Sequence, residues 1–147
     1  MTFDDSMLRL LRGVLIIVAT GVIQVLAQLV LSHMMDVLPS PPLSSYPTFY
    51  MLTHSVVAVV ILLTGHMLQV MMWALVYYYD WGEFGSFDNA LYFSLASFTT
   101  LGASDLALPP AHRMAGALES AAGMLMFGWS TALLVSVVQR TDRHPRP

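Results

Sequence analysis

The sequence predicts an all-α integral membrane protein, with three helices long enough to cross a bilayer and one shorter helix that is not. Three observations predict it. Hydrophobic residues make up 56% of the 147 and charged residues only 10%, against about 25% charged in soluble domains. Residues 13–35, 37–79 and 120–139 contain no Asp, Glu, Lys or Arg, and about 20 consecutive apolar residues suffice for a spanning helix. Between the second and third of these stretches lies a helical segment, residues 87–99, that is too short to span.

The first helix is expected over residues 7–35, within an N-terminal unit of residues 1–36. Arg9 and Arg12 stand where a signal peptide has its basic region. The apolar run that follows is too long for such a peptide, and no small-x-small cleavage site closes it, so the helix is read as retained. The next stretch, "DVLPSPPLSSYP", holds four of the eight prolines. Proline fixes φ and removes a donor, which makes residues 37–48 a linker. The second helix is expected over residues 49–79. It ends in Tyr77, Tyr78 and Tyr79, followed by Trp81, a cluster suited to a membrane interface.

"DWGEFGSF" breaks the chain before the short helix, whose start carries Ser86, Asp88 and Asn89 as capping and dipole-matching residues. After "TTLGASDLAL", Pro109 and Pro110 form a stop. The third long helix is expected over residues 111–139, and residues 141–147 form a short polar tail. Irregular backbone at membrane depth is tolerated only where it is buried in protein or lines a water-filled path. The order long helix, short helix, irregular loop, long helix therefore suggests a re-entrant loop. An extramembrane loop that happens to carry a short helix is the alternative the pattern leaves open.

The residues themselves go further. "FDNALYFSLASFTTLGASDLALPP" followed by "ALESAAGMLMFGWSTALLVSVV" resembles the two-helix pore module of the potassium-channel superfamily. In particular it is similar to small bacterial channels of that type with one extra N-terminal helix. The blocks that carry the resemblance are Ala90 to Ser94 leading to Thr99 and Thr100; then Thr100, Gly102 and Asp105; then Gly123 with Phe127 and Gly128. The resemblance spans about residues 65–140.

The resemblance implies a pore module over residues 49–140, one filter loop per chain, and so a homotetramer around a four-fold axis in the bilayer. Filter carbonyls replace the hydration shell of a permeating cation, here K⁺ and/or Na⁺. The residues implied are Thr100, Leu101, Gly102, Ala103 and Ser104, supported by Thr99, Asp105, Tyr92 and Phe93. Gly123 and Gly128 are implied as gating-hinge candidates. Two positions depart from the family. Ala103 stands where the family has a tyrosine that packs against pore-helix aromatics, and Ser104 where it has a second filter glycine. Cyclic-nucleotide-gated cation channels also depart at these positions and are weakly selective. Asp105 matches the family's filter-end aspartate, but its usual pore-helix glutamate partner is Ala96 here, which leaves Tyr92 as the expected donor.

Other features bear on function. Asp80, Glu83, Asp88 and Asp105 lie between the second and third long helices, with Arg113 as the nearby Arg. This excess of negative charge argues against an anion pore. A lone Glu119 inside a span is expensive, and Gln69 with His66 is the expected polar partner set, Gln69 nearest in depth. Thr20, Gln24, Gln28 and Ser32 form a polar stripe at i+4 spacing on the first helix, expected to pack on the second helix or a neighbouring subunit. The chain has no cysteine, its histidines lack ligand-like spacing, and no nucleophile–base pair stands out. Neither an enzyme, a cofactor site nor a nucleic-acid partner is expected.

Arg140, Arg143 and Arg146 put the C-terminus in the cytoplasm by the positive-inside rule, with the bacterial inner membrane as the implied location. Three crossings then place the N-terminus outside, against the charge of Arg9 and Arg12. The first helix either crosses against the rule or lies along the cytoplasmic face; its length favours crossing. The expected function is a tetrameric cation channel with weakened or lost potassium selectivity. The alternative is a non-conducting scaffold or interaction protein, working with a separate channel or regulatory subunit.

Overall fold

Helices account for all the regular structure in the computed structural model, which describes residues 3–38, 47–102 and 105–142. The elements are α1 (Phe3–Val37), α2 (Pro47–Leu75), α3 (Phe87–Phe98) and α4 (Arg113–Asp142), and a π-helical turn, Val76–Asp80, continues α2. Three segments are long and apolar enough to cross a membrane: Leu11–Val37, Phe49–Asp80 and Arg113–Arg140. The shortest has 27 residues. At about 1.5 Å per residue it is roughly 40 Å long, longer than the ~30 Å hydrocarbon core. The all-α membrane architecture is therefore as the sequence predicts, with α3 as the short helix.

Boundaries differ by a few residues. α2 starts at Pro47, inside the expected linker, because proline in the first helical turn forfeits no intrahelical bond. α4 starts at Arg113 rather than at residue 111, because residues 109–112 form a turn closed by the His112 amide on the Pro109 carbonyl, 2.9 Å. Ala103, Ser104, most of the proline linker and the end of the tail lie outside the described residues.

α1 runs antiparallel to α2. Trp73 Nε1 donates to Thr20 Oγ1 at 3.1 Å, and Gln69 Nε2 donates to Gln24 Oε1 at 3.0 Å. Further along, Gly65 meets Ala27, and Leu31 shares a cluster with Ala58 and Leu62. Against α4 the order runs the same way along both helices: Gly13 beside Leu118, Gln24 on Ser130, Leu31 in one cluster with Val137. α1 thus lies alongside both spanning partners over its length rather than across their ends. Its N-terminal end shares a side with the start of α4.

The polar stripe of α1 meets its partners within the same chain. Gln28 accepts from Trp129 Nε1 at 3.0 Å. Gln24 belongs to a closed ring of four buried side chains. Gln24 Nε2 donates to Ser130 Oγ (3.0 Å), Ser130 Oγ lies 3.0 Å from His66 Nε2, His66 Nδ1 lies 3.5 Å from Gln69 Oε1, and Gln69 returns to Gln24. With its hydrogen on Nδ1, an assignment the network itself dictates, His66 donates once and accepts once, as do the other three. A buried polar group left unpaired in an apolar setting is costly, and this ring leaves no member of the four unpaired while joining α1, α2 and α4.

Candidate functional site

The site is the loop that follows α3, and its geometry begins with how α3 is held. At the N-terminus the Asn89 amide donates to Ser86 Oγ at 3.3 Å, satisfying one of the free amides of the first turn, and Asp88 faces the positive helix end. Phe93 is buried and meets Tyr77 edge-to-face at 5.2 Å and Phe84 at 5.1 Å. At the C-terminus Phe98 is buried against Phe127 and His66. The backbone of Phe98 lies so close to Gly123 of α4 that a Cβ there would overlap the Phe98 carbonyl. Gly123 therefore serves close packing of α4 on the end of α3. Gly128, by contrast, has nothing within 4 Å of its missing Cβ.

The loop amides turn back onto the end of α3. Thr99 N bonds the Leu95 carbonyl (3.1 Å), Thr100 N that of Ser97 (2.9 Å) and Gly102 N that of Ala96 (3.1 Å). Ser120 Oγ of α4 adds a bond to the Ser97 carbonyl at 2.7 Å. These bonds occupy carbonyls that a helix C-terminus otherwise leaves free. Thr100 and Gly102 have φ of 61° and 80°, while Leu101 between them does not have positive φ. The sign of φ therefore alternates over these three residues, so the backbone here is neither a continued helix nor a regular strand. Leu101 is 78% exposed in the single subunit.

A positive φ at a β-branched residue is a genuine outlier, and such strain is held where surrounding structure over-determines it. Replacing Thr100 by glycine removes a left-handed cost of about 1–2 kcal/mol together with the hydroxyl. Thr100→Gly is expected to raise the thermal unfolding midpoint of the detergent-solubilised protein and to lower ion flux. A variant that loses both stability and flux would contradict the strain at Thr100.

The segments between α2 and α4 carry exposed acids. Asp80, Asp88 and Asp105 are exposed, and none of them forms an ion pair among the described residues. Glu83 pairs with His112, which stacks on Trp81 at 4.5 Å with rings 9° apart. This Glu83–His112–Trp81 group fastens the loop after α2 to the turn before α4. The sequence reading missed it, since the two partners are 29 positions apart. Tyr92 is 46% exposed, and among the described residues no hydrogen bond joins it to Asp105.

The expected pairing of Glu119 with Gln69 and His66 is corrected. Gln69 and His66 belong to the four-membered ring, whereas Glu119 Oε2 accepts from Tyr77 Oη at 2.7 Å and Oε1 lies 2.5 Å from Ser94 Oγ. Ser94 Oγ also lies 2.9 Å from the Val70 carbonyl. Two shifts cause the difference. The π-helical turn carries the outer end of α2 to Asp80, and α4 starts later than expected, so Tyr77 is the side chain that reaches the depth of Glu119. Gln69, Trp73 and Tyr77, four residues apart, form one buried stripe on α2, which was the signal available in the sequence.

A family model described as an ion channel matches residues 65–140, just over half of the chain. No curated protein and no solved structure matches it.

Proposed function

The chain belongs to the ion channel family, and from that premise we propose that four copies surround a four-fold axis and pass monovalent cations, K⁺ and/or Na⁺, with weakened or lost potassium selectivity. The observation that carries this reading is the loop backbone: amides tied back to α3, with φ positive at Thr100 and Gly102 but not at Leu101 between them. The carbonyls of such a loop would replace a cation's hydration shell. The C-terminal end of α3 adds the negative end of a helix dipole beneath them, and the exposed acids Asp80, Asp88 and Asp105 would concentrate cations around the pore mouth.

In this reading Thr100, Leu101 and Gly102 hold the ion, while Ala103 and Ser104 form an outer half without the family's tyrosine and second glycine. α2 is the outer helix, α3 the pore helix and α4 the inner helix, in a bacterial inner membrane with the C-terminus cytoplasmic. α1 then crosses with its N-terminus outside. The parallel course of α1 and α4 supports that orientation, and the three spans support a place in the bilayer.

The test is flux from liposomes holding purified protein, with K⁺ and Na⁺ measured separately. Both ions are expected to pass, at rates far closer than a potassium-selective pore allows. Passage of neither ion over a range of voltage and pH would leave the non-conducting scaffold as the reading.

A further inference from the structure

We infer that Glu119 is a positioning residue for the filter, acting through α3; this rests on the channel reading and names what holds the conducting loop in place. Glu119 is fully buried within a membrane-spanning segment. Such a residue is costly to keep, and nothing in ion passage through the loop backbone requires it. Its two carboxyl oxygens contact two different elements, Tyr77 of the outer helix and Ser94 of the pore helix. Ser94 in turn reaches the Val70 carbonyl of α2. One carboxyl on α4 therefore fixes α3 to α2 and α4 together, from the buried face of α3.

The connection to the filter is short. Ser94 directly precedes Leu95, Ala96 and Ser97, whose carbonyls receive the amides of Thr99, Gly102 and Thr100. A displacement of α3 at Ser94 is passed to the loop through those three bonds. In this chain the loop depends on that path, because residue 103 is alanine and supplies no ring to brace the filter against the pore helix. Tyr77 is the titratable side chain that faces Glu119 from α2. α3 presents Ser94, and α1 carries no charged side chain from Gly13 to Met35. The node thus consists of the carboxyl, two hydroxyls and one backbone carbonyl.

The variants that test this separate position from mere folding. Glu119→Gln keeps the shape and both links: its carbonyl accepts from Tyr77, its amide donates to Ser94, and Ser94 donates to Val70. Glu119→Leu removes both links, and Ser94→Ala removes the one to α3. In liposomes, the ratio of K⁺ to Na⁺ flux is expected to shift from the wild-type value in Glu119→Leu and Ser94→Ala, because the loop carbonyls move with α3 and the two ions need different carbonyl spacings, and to stay at the wild-type value in Glu119→Gln. A fall in both fluxes with the ratio unchanged in Glu119→Leu and Ser94→Ala would show a purely structural role and overturn the inference. Should Glu119→Leu fail to assemble, Ser94→Ala decides.

Amide hydrogen exchange in the same membranes reads the positioning without any flux. Exchange over Phe87–Phe98 is expected to rise in Ser94→Ala while exchange in α1 does not change. Unaltered exchange in α3 would overturn the positioning even where wild-type flux confirms the channel. Raised exchange in α3 with no wild-type flux would uphold the positioning and sink the channel reading.

Discussion

Gly123→Val is expected to abolish assembly of the protein, and Gly123→Ala to lower its stability by about 1–3 kcal/mol, the usual range for overpacking a filled interior. The obstacle at this position is the carbonyl of Phe98, a backbone group at the end of α3 that cannot swing aside as a side-chain tip can. Relief requires α3 to move away from α4, and the loop amides bonded to Leu95, Ala96 and Ser97 move with it. Gly128→Ala is the control. It meets open space in the subunit and replaces glycine with a residue favoured by up to about 1 kcal/mol in a helix interior. Thermal unfolding in detergent, read beside native-gel or light-scattering measurement of the assembly, checks the pair. Equal tolerance at both glycines would refute the tight seat of Phe98.

The two glycines also differ in what they permit α4 to do. Above Gly123 the inner helix is fixed to α3 by Phe98, Ser120 and Glu119. Just beyond Gly128 it is fixed to α1 by Trp129 and Ser130. A bend at Gly123 would drag α3, whereas a bend at Gly128 falls between the two sets of anchors. Of the two hinge candidates, the packing favours Gly128.

Much of this was legible because the bilayer imposes strong rules on sequence. Long uncharged stretches have few structural outcomes, so α1, α2 and α4 could be read from the positions of charge alone. Ser86 and Asn89 marked the start of α3 because a helix N-terminus needs a side-chain acceptor. The polar stripe on α1 was legible as a hydrogen-bonding face, since Thr20, Gln24 and Gln28 repeat at helical spacing. Its partners were not, because spacing on one helix gives a direction but not the depth of the neighbour. Glu119 shows the same limit. Its charge declared that donors must be close, yet which donors depended on a π-helical turn and a two-residue shift at the start of α4. Tyr77 looked like one of three interfacial tyrosines; it is fully buried, whereas Tyr79 is 76% exposed. The positive φ at Thr100 was also hidden, because a threonine gives no hint of a left-handed backbone. Gly123 was recognised as special, but its neighbour Phe98 lies 25 positions away in the chain.

Restoring Ala103→Tyr together with Ser104→Gly is expected to raise the ratio of K⁺ to Na⁺ permeability by about tenfold, a difference of about 1.4 kcal/mol between the two ions. α3 offers two aromatic side chains as candidate supports for the loop, Tyr92 and Phe93. Phe93 is buried and already occupied by Tyr77 and Phe84, so it has little surface left for a new ring. Tyr92 is 46% exposed and keeps a free aromatic face. A cavity of about 410 Å³ lies beside the loop, lined by Thr100, Gly102, Leu106 and Leu108 among others. The glycine at 104 matters separately, because a backbone free to adopt positive φ can extend the alternation of Thr100, Leu101 and Gly102 outward and add carbonyl sites in series. The two changes are therefore expected to act together: tyrosine alone adds a brace without the backbone freedom of glycine, and glycine alone adds that freedom without a brace. Reversal potentials in bilayers bathed by K⁺ on one side and Na⁺ on the other measure the ratio for the double variant and for each single one. A double variant no more selective than the wild type would mean that any discrimination is set within Thr100 to Gly102, and that residues 103 and 104 do not limit it.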